Sequence, residues 1–139
     1  MVKKKFKILI VASNFYSSVT NKMVSSAETE LKKRNCSFKV LEVKGSLEIP
    51  TLIAIKLNNE KYDGALALGC IIKGKTNHNE VIANTIATSL INISIQNLKP
   101  VGNAVLNCNN LSQALARTKG SKDRAAEAVA AIMSVLENI

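Results

Sequence analysis

The sequence predicts an α/β fold, a three-layer α/β/α sandwich around a four-stranded parallel sheet. Short apolar runs of strand length alternate along the chain with longer stretches of helical periodicity. The runs are nearly unbroken, as expected of strands covered on both faces. Aromatic residues are only 4% of the chain, so the core is built from Ile, Leu, Val and Ala.

Phe6 to Val11 (F-K-I-L-I-V) reads as the first buried strand, bounded by lysines and by S-N. Val19, Met23, Ala27 and Leu31 then recur at helical spacing, and Lys32 to Arg34 suit a helix C-terminus. Ser37 to Val43 returns to strand character, with a turn at Gly45. Pro50 sits near the start of a second helix, T-L-I-A-I-K-L-N, and Y-D-G introduces the third strand, A-L-A-L-G-C. Glu80 to Asn97 predicts a long helix with apolar positions Val81, Ile82, Ile86, Leu90, Ile93 and Ile95. Pro100 closes the connection, Val101 to Leu106 is the fourth strand, and Leu111 to Ile139 is helical, with a loop at Arg117 to Lys122 between the last two helices.

All 139 residues read as one domain without repeat or linker, long enough to bury about two-thirds of its unfolded surface. Cys36, Cys70 and Cys108 are odd in number and widely spaced, which argues against a disulfide framework or zinc knuckle and fits a reducing cytoplasm. The start, M-V-K-K-K-F-K-I-L-I-V-A-S-N, is basic, but its apolar run is about five residues, short of a signal peptide, and no run approaches the roughly eighteen needed to span a bilayer. The expectation is a cytoplasmic protein with no membrane partner. A net charge of +9 raises nucleic acid as a partner. Beyond Lys3 to Lys5 the lysines are dispersed and lack interleaved aromatics, so solubility with a local anion site explains the charge better.

In open α/β sheets the ligand lies beyond the carboxyl ends of the strands. Four loops should converge there: N-F-Y, K-G-S-L-E-I-P, I-I-K-G-K-T-N-H and N-C-N-N. In the third, Gly74 lets backbone amides approach an anion, Lys73 or Lys75 adds charge, Thr76 adds a hydroxyl, and the next helix aims its amino end at the same place. The Walker A spacing is absent, which excludes a P-loop triphosphatase. His78, the only histidine, falls in the first turn of that helix, where Asn77 and Glu80 form a capping-box pattern. A helix amino end disfavours imidazolium, so a neutral, proton-accepting His78 is expected near physiological pH. Glu48 precedes a proline-started helix and serves equally as a dipole partner or a ligand contact. Phe15 is either a plug for the sheet end or a platform for a planar heterocycle. Arg117 and Lys122, on the residues alone, read as solvated charges at helix ends.

Taken in order, these loops resemble the lumazine synthase family. I-L-I-V-A-S-N-F-Y is similar to its first strand and aromatic loop, G-S-L-E-I-P to its G-A-x-E-I-P, and G-C-I-I-K-G-K-T-N-H to its G-x-V-I-R-G-x-T-x-H. P-V-G-N-A-V-L-N resembles its P-V-x-N-G-x-L-T, and S-Q-A-L-A-R its E-Q-A-x-x-R; the resemblance runs from Lys7 to Met133. It implies a flavodoxin-like fold and a transferase of riboflavin biosynthesis. The family condenses 5-amino-6-(D-ribitylamino)uracil with 3,4-dihydroxy-2-butanone 4-phosphate to 6,7-dimethyl-8-ribityllumazine, phosphate and water, with no metal or other cofactor.

By the resemblance, Phe15 stacks on the pyrimidine, and Ser46, Leu47 and Glu48 line the pyrimidine and ribityl pocket with Cys70, Ile71 and Ile72. Lys75, Thr76, Arg117 and Lys122 hold phosphate, and His78 transfers protons. The family's sites lie between subunits of a homopentamer, so Asn103 and Arg117 would complete a neighbour's site; riboflavin synthase is a further candidate partner. The chain departs from the family pattern at Asn14, Lys73, Asn79, Ala104, Asn107 and Asp123. The competing readings are a noncatalytic flavin- or lumazine-binding or shell-forming member of the same fold, and a basic nucleic-acid-binding module. His78 and Arg117 are both present, which favours the enzyme.

Overall fold

The computed structural model describes residues 5–139; Lys3 and Lys4 of the basic start lie outside them. The chain runs β1 (Lys7–Ser13), α1 (Ser17–Lys33), β2 (Ser37–Val43), a 3-10 turn (Ser46–Glu48), α2 (Ile49–Asn59), β3 (Gly64–Ile72), α3 (His78–Asn97), β4 (Val101–Cys108), α4 (Leu111–Ala116), a second 3-10 turn (Gly120–Lys122) and α5 (Arg124–Leu136). The four strands pair in parallel in the order β2-β1-β3-β4. This is the α/β architecture expected from the sequence.

Strand periodicity sorts the core into two layers. Ile8, Ile10 and Ala12 of β1 pack with Val19, Met23 and Leu31 of α1 and with Val129 and Ile132 of α5. Leu9 and Val11, on the opposite face, pack with Ile53 and Leu57 of α2 and Ile86 and Leu90 of α3. Each such fully buried aliphatic side chain favours the fold by about 1.5–3 kcal/mol over its exposed state.

The strands outrun their sequence-predicted ends. β3 continues through Ile71 and Ile72 and β4 through Asn107 and Cys108, which pair with one another. The Lys73 amide extends the ladder by donating to the Cys108 carbonyl at 2.8 Å. The loop composition after Cys70 and Leu106 hid this, because a parallel ladder recruits backbone regardless of side-chain polarity.

The helix ends also differ in part. α3 starts at His78, and the Asn77–Glu80 capping box does not form. Asn77 has φ −86° and ψ 19°, outside the extended conformation from which an N-cap side chain reaches back, and makes no side-chain cap bond. The last two helices are capped as their sequence invites: Asn110 accepts from the Gln113 amide at 2.8 Å and Asp123 from the Ala126 amide at 3.0 Å. Asp123 also accepts a bond from the Ser26 hydroxyl, joining α5 to α1. Of the apolar positions on α3, Ile86 and Leu90 are buried, whereas Val81 and Ile95 are 60% and 65% exposed.

Candidate functional site

The strand order reverses direction at β1, whose neighbours are β2 and β3. A crevice opens at such a switch point, beyond the strand ends. Here it is a cavity of about 320 Å³ lined by Phe15, Tyr16, Gly45, Ser46, Leu47, Glu48, Cys70, Ile71, Ile72 and Ile82. Seven of these lining residues, Phe15, Ser46, Leu47, Glu48, Cys70, Ile71 and Ile72, are ones the sequence singled out.

The cavity has an aromatic side and a turn packed tightly onto the sheet. Phe15 is 70% exposed and meets Tyr16 edge to face, centroids 4.9 Å apart and planes at 83°. Ser46 is buried against the strands, its hydroxyl 3.5 Å from that of Ser13. Gly69 of β3 permits that approach: a Cβ there would come within 2.6 Å of Ser46 Oγ and 3.2 Å of Ile49 Cδ1. Glu48 folds back on its own turn, where Oε1 accepts from the Gly45 amide at 2.9 Å and the Glu48 amide donates to the Gly45 carbonyl at 3.2 Å. That single bond leaves the carboxylate further lone pairs for a ligand.

Cys70 walls the cavity as an apolar group. Burial, and then the neighbouring Cys108, pushes its thiol up to about 12, so it stays protonated and non-nucleophilic at neutral pH.

His78 is exposed in the first turn of α3, about one helical turn before the cavity-lining Ile82. Residues four apart share a helix face, so His78 and Ile82 lie on one side of α3. Lys75 and Thr76 are exposed on the preceding loop, and the Thr76 hydroxyl accepts from the His78 amide at 3.3 Å. A Cβ on Gly74 would meet nothing within 4 Å, so this chain's own packing does not demand the glycine.

Six sequence-predicted residues lie outside the cavity lining: Lys75, Thr76 and His78, which follow β3 on the loop and helix beside it, and Asn103, Arg117 and Lys122. Asn103 is exposed on the edge strand β4, with its side-chain oxygen turned onto the Val105 amide at 2.9 Å. Arg117 donates to Cys108 Sγ at 3.0 Å, and Lys122 is exposed on the second 3-10 turn. Tyr16, Gly45 and Ile82 line the cavity but were not picked out from the sequence. Ile82 had a readable signal, its four-residue spacing from His78. A larger depression, about 630 Å³, lies between α1 and the Leu115–Lys119 turn, lined by Asn21, Lys22, Ser25, Leu115, Thr118 and Lys119. It lacks an aromatic face, a carboxylate and an imidazole. Among the described residues no group of three or more His, Cys, Asp or Glu is gathered to hold a metal ion.

Comparison with known proteins decides the family. Residues 5–139 match the family described as 6,7-dimethyl-8-ribityllumazine synthase. The chain belongs to the lumazine synthase family. The 6,7-dimethyl-8-ribityllumazine synthase of Bartonella henselae is 38% identical over 118 residues, covering 84% of this chain and 76% of its own. The 6,7-dimethyl-8-ribityllumazine synthase 1 of Rhodopseudomonas palustris is 34% identical over 136 residues, 94% of this chain and 83% of its own. In this lumazine synthase family member, Phe15 and Glu48 line the cavity beyond the sheet's switch point.

Proposed function

We propose that this protein is a transferase that condenses 5-amino-6-(D-ribitylamino)uracil with 3,4-dihydroxy-2-butanone 4-phosphate to 6,7-dimethyl-8-ribityllumazine, phosphate and water. The observation that carries the reading is the switch-point cavity, with Phe15 and Glu48 on its walls and His78 one helical turn from Ile82, in a chain of this family. Phe15 offers its face to the pyrimidine ring. Ser46, Leu47 and Glu48, with Cys70, Ile71 and Ile72, hold the pyrimidine and ribityl chain. Lys75 and Thr76 receive the phosphate.

The reaction then needs little beyond proton movement. The pyrimidine's amine attacks the ketone, and loss of water gives an imine; elimination expels phosphate, and the ribityl-bearing nitrogen closes the second ring with loss of a second water. His78 accepts and returns protons at these steps, and the cationic loop stabilises the departing anion. Holding two reactants in one pocket supplies much of the acceleration.

The positions of Asn103, Arg117 and Lys122 support an assembly of identical subunits. All three come from β4 or the segment after it, which supplies nothing to their own chain's cavity lining, whereas Lys75, Thr76 and His78 adjoin β3 and α3, which do. A homopentameric ring would let them complete the cavity of the adjacent subunit, with Arg117 and Lys122 on the phosphate. Its place is the cytoplasm, a setting supported by the free Cys36, Cys70 and Cys108. No helix among the described residues is long and apolar enough to cross a membrane. Riboflavin synthase, which uses the lumazine product, is a further candidate partner.

Purified protein mixed with both substrates is expected to generate the absorbance of the lumazine faster than the uncatalysed reaction. A rate equal to background at saturating substrates would contradict the reading.

A further inference from the structure

Two residues outside the cavity lining meet behind the histidine. Asn79, in the first turn of α3, is buried, and its Nδ2 donates to Asn107 Oδ1 on β4 at 2.9 Å. Asn79 Oδ1 is also buried and has no partner, so the amide is anchored at one end only. An apolar residue would occupy this position without an orphaned acceptor, whose burial costs about 1–3 kcal/mol. What the amide supplies instead is a directional bond across to the sheet.

That bond acts where the helix has no other device of its kind. The α3 N-cap, Asn77, makes no side-chain bond, and the His78 amide has only a long contact to Thr76 Oγ1, a residue of the same loop. The Asn79–Asn107 bond instead ties the first turn to β4 at the level where β4 pairs with Ile71, a cavity residue. The tether therefore joins the residue next to the imidazole to the strand that backs the cavity wall.

We propose that the Asn79–Asn107 hydrogen bond is a positioning element for the reaction: it fixes the first turn of α3 and so sets where His78 stands. This deepens the reading of His78 as the proton-transfer residue and rests on it. Neither asparagine touches substrate in this account; both act through His78.

The test compares Asn107→Leu, Asn107→Asp and the double variant Asn79→Leu/Asn107→Leu with the unsubstituted protein. Asn107→Leu removes the acceptor and is expected to lower kcat about tenfold with KM little changed, since misplacing a catalytic group slows chemistry more than binding. Asn107→Asp keeps the acceptor and should retain kcat. The double variant orphans no polar group and should recover thermal stability while kcat stays low. Because the chain has one histidine, ¹³C labelling at its ring Cε1 gives a single assigned resonance, which should shift or broaden in Asn107→Leu and in the double variant. Wild-type kcat and an unmoved His78 resonance in the double variant would overturn the proposal and leave the pair as ordinary packing. A wild-type protein inactive on both substrates overturns the enzyme reading, and the pair's role in the reaction with it, whereas the resonance separately reports whether the pair positions His78.

Discussion

Glu48 Oε1 accepts a hydrogen bond from the Gly45 amide at 2.9 Å, so the carboxylate on the cavity rim also closes the turn that forms the rim. The two roles are separable. Glu48→Gln keeps a carbonyl acceptor for Gly45 and is expected to change stability by less than about 0.5 kcal/mol, whereas Glu48→Ala should cost about 1 kcal/mol. Both should raise KM for the pyrimidine substrate. Urea unfolding read beside steady-state kinetics distinguishes them; a Gln variant as unstable as the Ala variant would show that the charge closes the turn.

Gly69 is the position where the sheet itself would block the site. An added Cβ would come within 2.6 Å of Ser46 Oγ, displacing a turn that packs on β3. Gly69→Ala is expected to destabilise the fold by about 1–3 kcal/mol, the usual cost of overpacking, and to lower activity as the Ser46–Glu48 turn moves off the cavity. An Ala variant with wild-type unfolding midpoint and activity would contradict the close packing.

The Cys70 thiol gives an alkaline signature. Its folded-state value is raised to about 12, against an ordinary 9.0, by burial and then by Cys108. Between those values the unfolded chain has lost a proton that the native chain retains, so stability falls as pH rises from about 9 towards 12, by at most about 1.4 kcal/mol per pH unit for this group. Cys36 and Tyr62, both raised by burial first, act in the same direction. Cys70→Ala should flatten the alkaline limb of a stability profile whatever its effect at neutral pH. An unchanged slope would contradict a buried, protonated Cys70.

The residues of the proposed chemistry should separate kinetically. His78→Ala is expected to lower kcat by about a hundredfold or less, since reactant proximity survives its loss. Arg117→Ala should chiefly raise KM for the phosphate substrate, about tenfold or more, as befits loss of a charged hydrogen bond. Initial rates across both substrate concentrations measure each term. A His78→Ala effect confined to KM would contradict its role in proton transfer.

Much of this was legible in the sequence, for identifiable reasons. β2 was read to its exact ends, Ser37 and Val43, because its alternating run is bounded by Asn35–Cys36 and by Lys44–Gly45. The cavity walls were legible because each lies just past an apolar run, where the topology of an open α/β sheet must place a ligand. The apolar periodicity of helix α3 starts two residues late, at Glu80, but the Asn77–Glu80 pattern marks its start at His78 even though the cap that pattern advertises does not form. Ile71 and Ile72 read as loop because Lys73 and Gly74 follow them, yet pairing with Asn107 and Cys108 keeps them in the sheet. The Asn79–Asn107 contact spans 28 positions, and no local pattern announces it. The inward contact of Arg117 with Cys108 was equally silent.

The central claim is that a cavity begun by Phe15, Glu48 and His78 of one subunit is completed by Arg117 of its neighbour. Subunit complementation tests it most directly. His78→Ala and Arg117→Ala proteins are unfolded, mixed in equal amounts, refolded together and assayed at a phosphate-substrate concentration that limits the Arg117→Ala parent. Random assembly of a closed ring puts an intact His78 opposite an intact Arg117 in about a quarter of the sites. The account predicts activity for the mixture above that of both parents, approaching a quarter of wild type. Activity equal to the average of the two parents would contradict it, because a site held within one chain leaves every chain of the mixture defective.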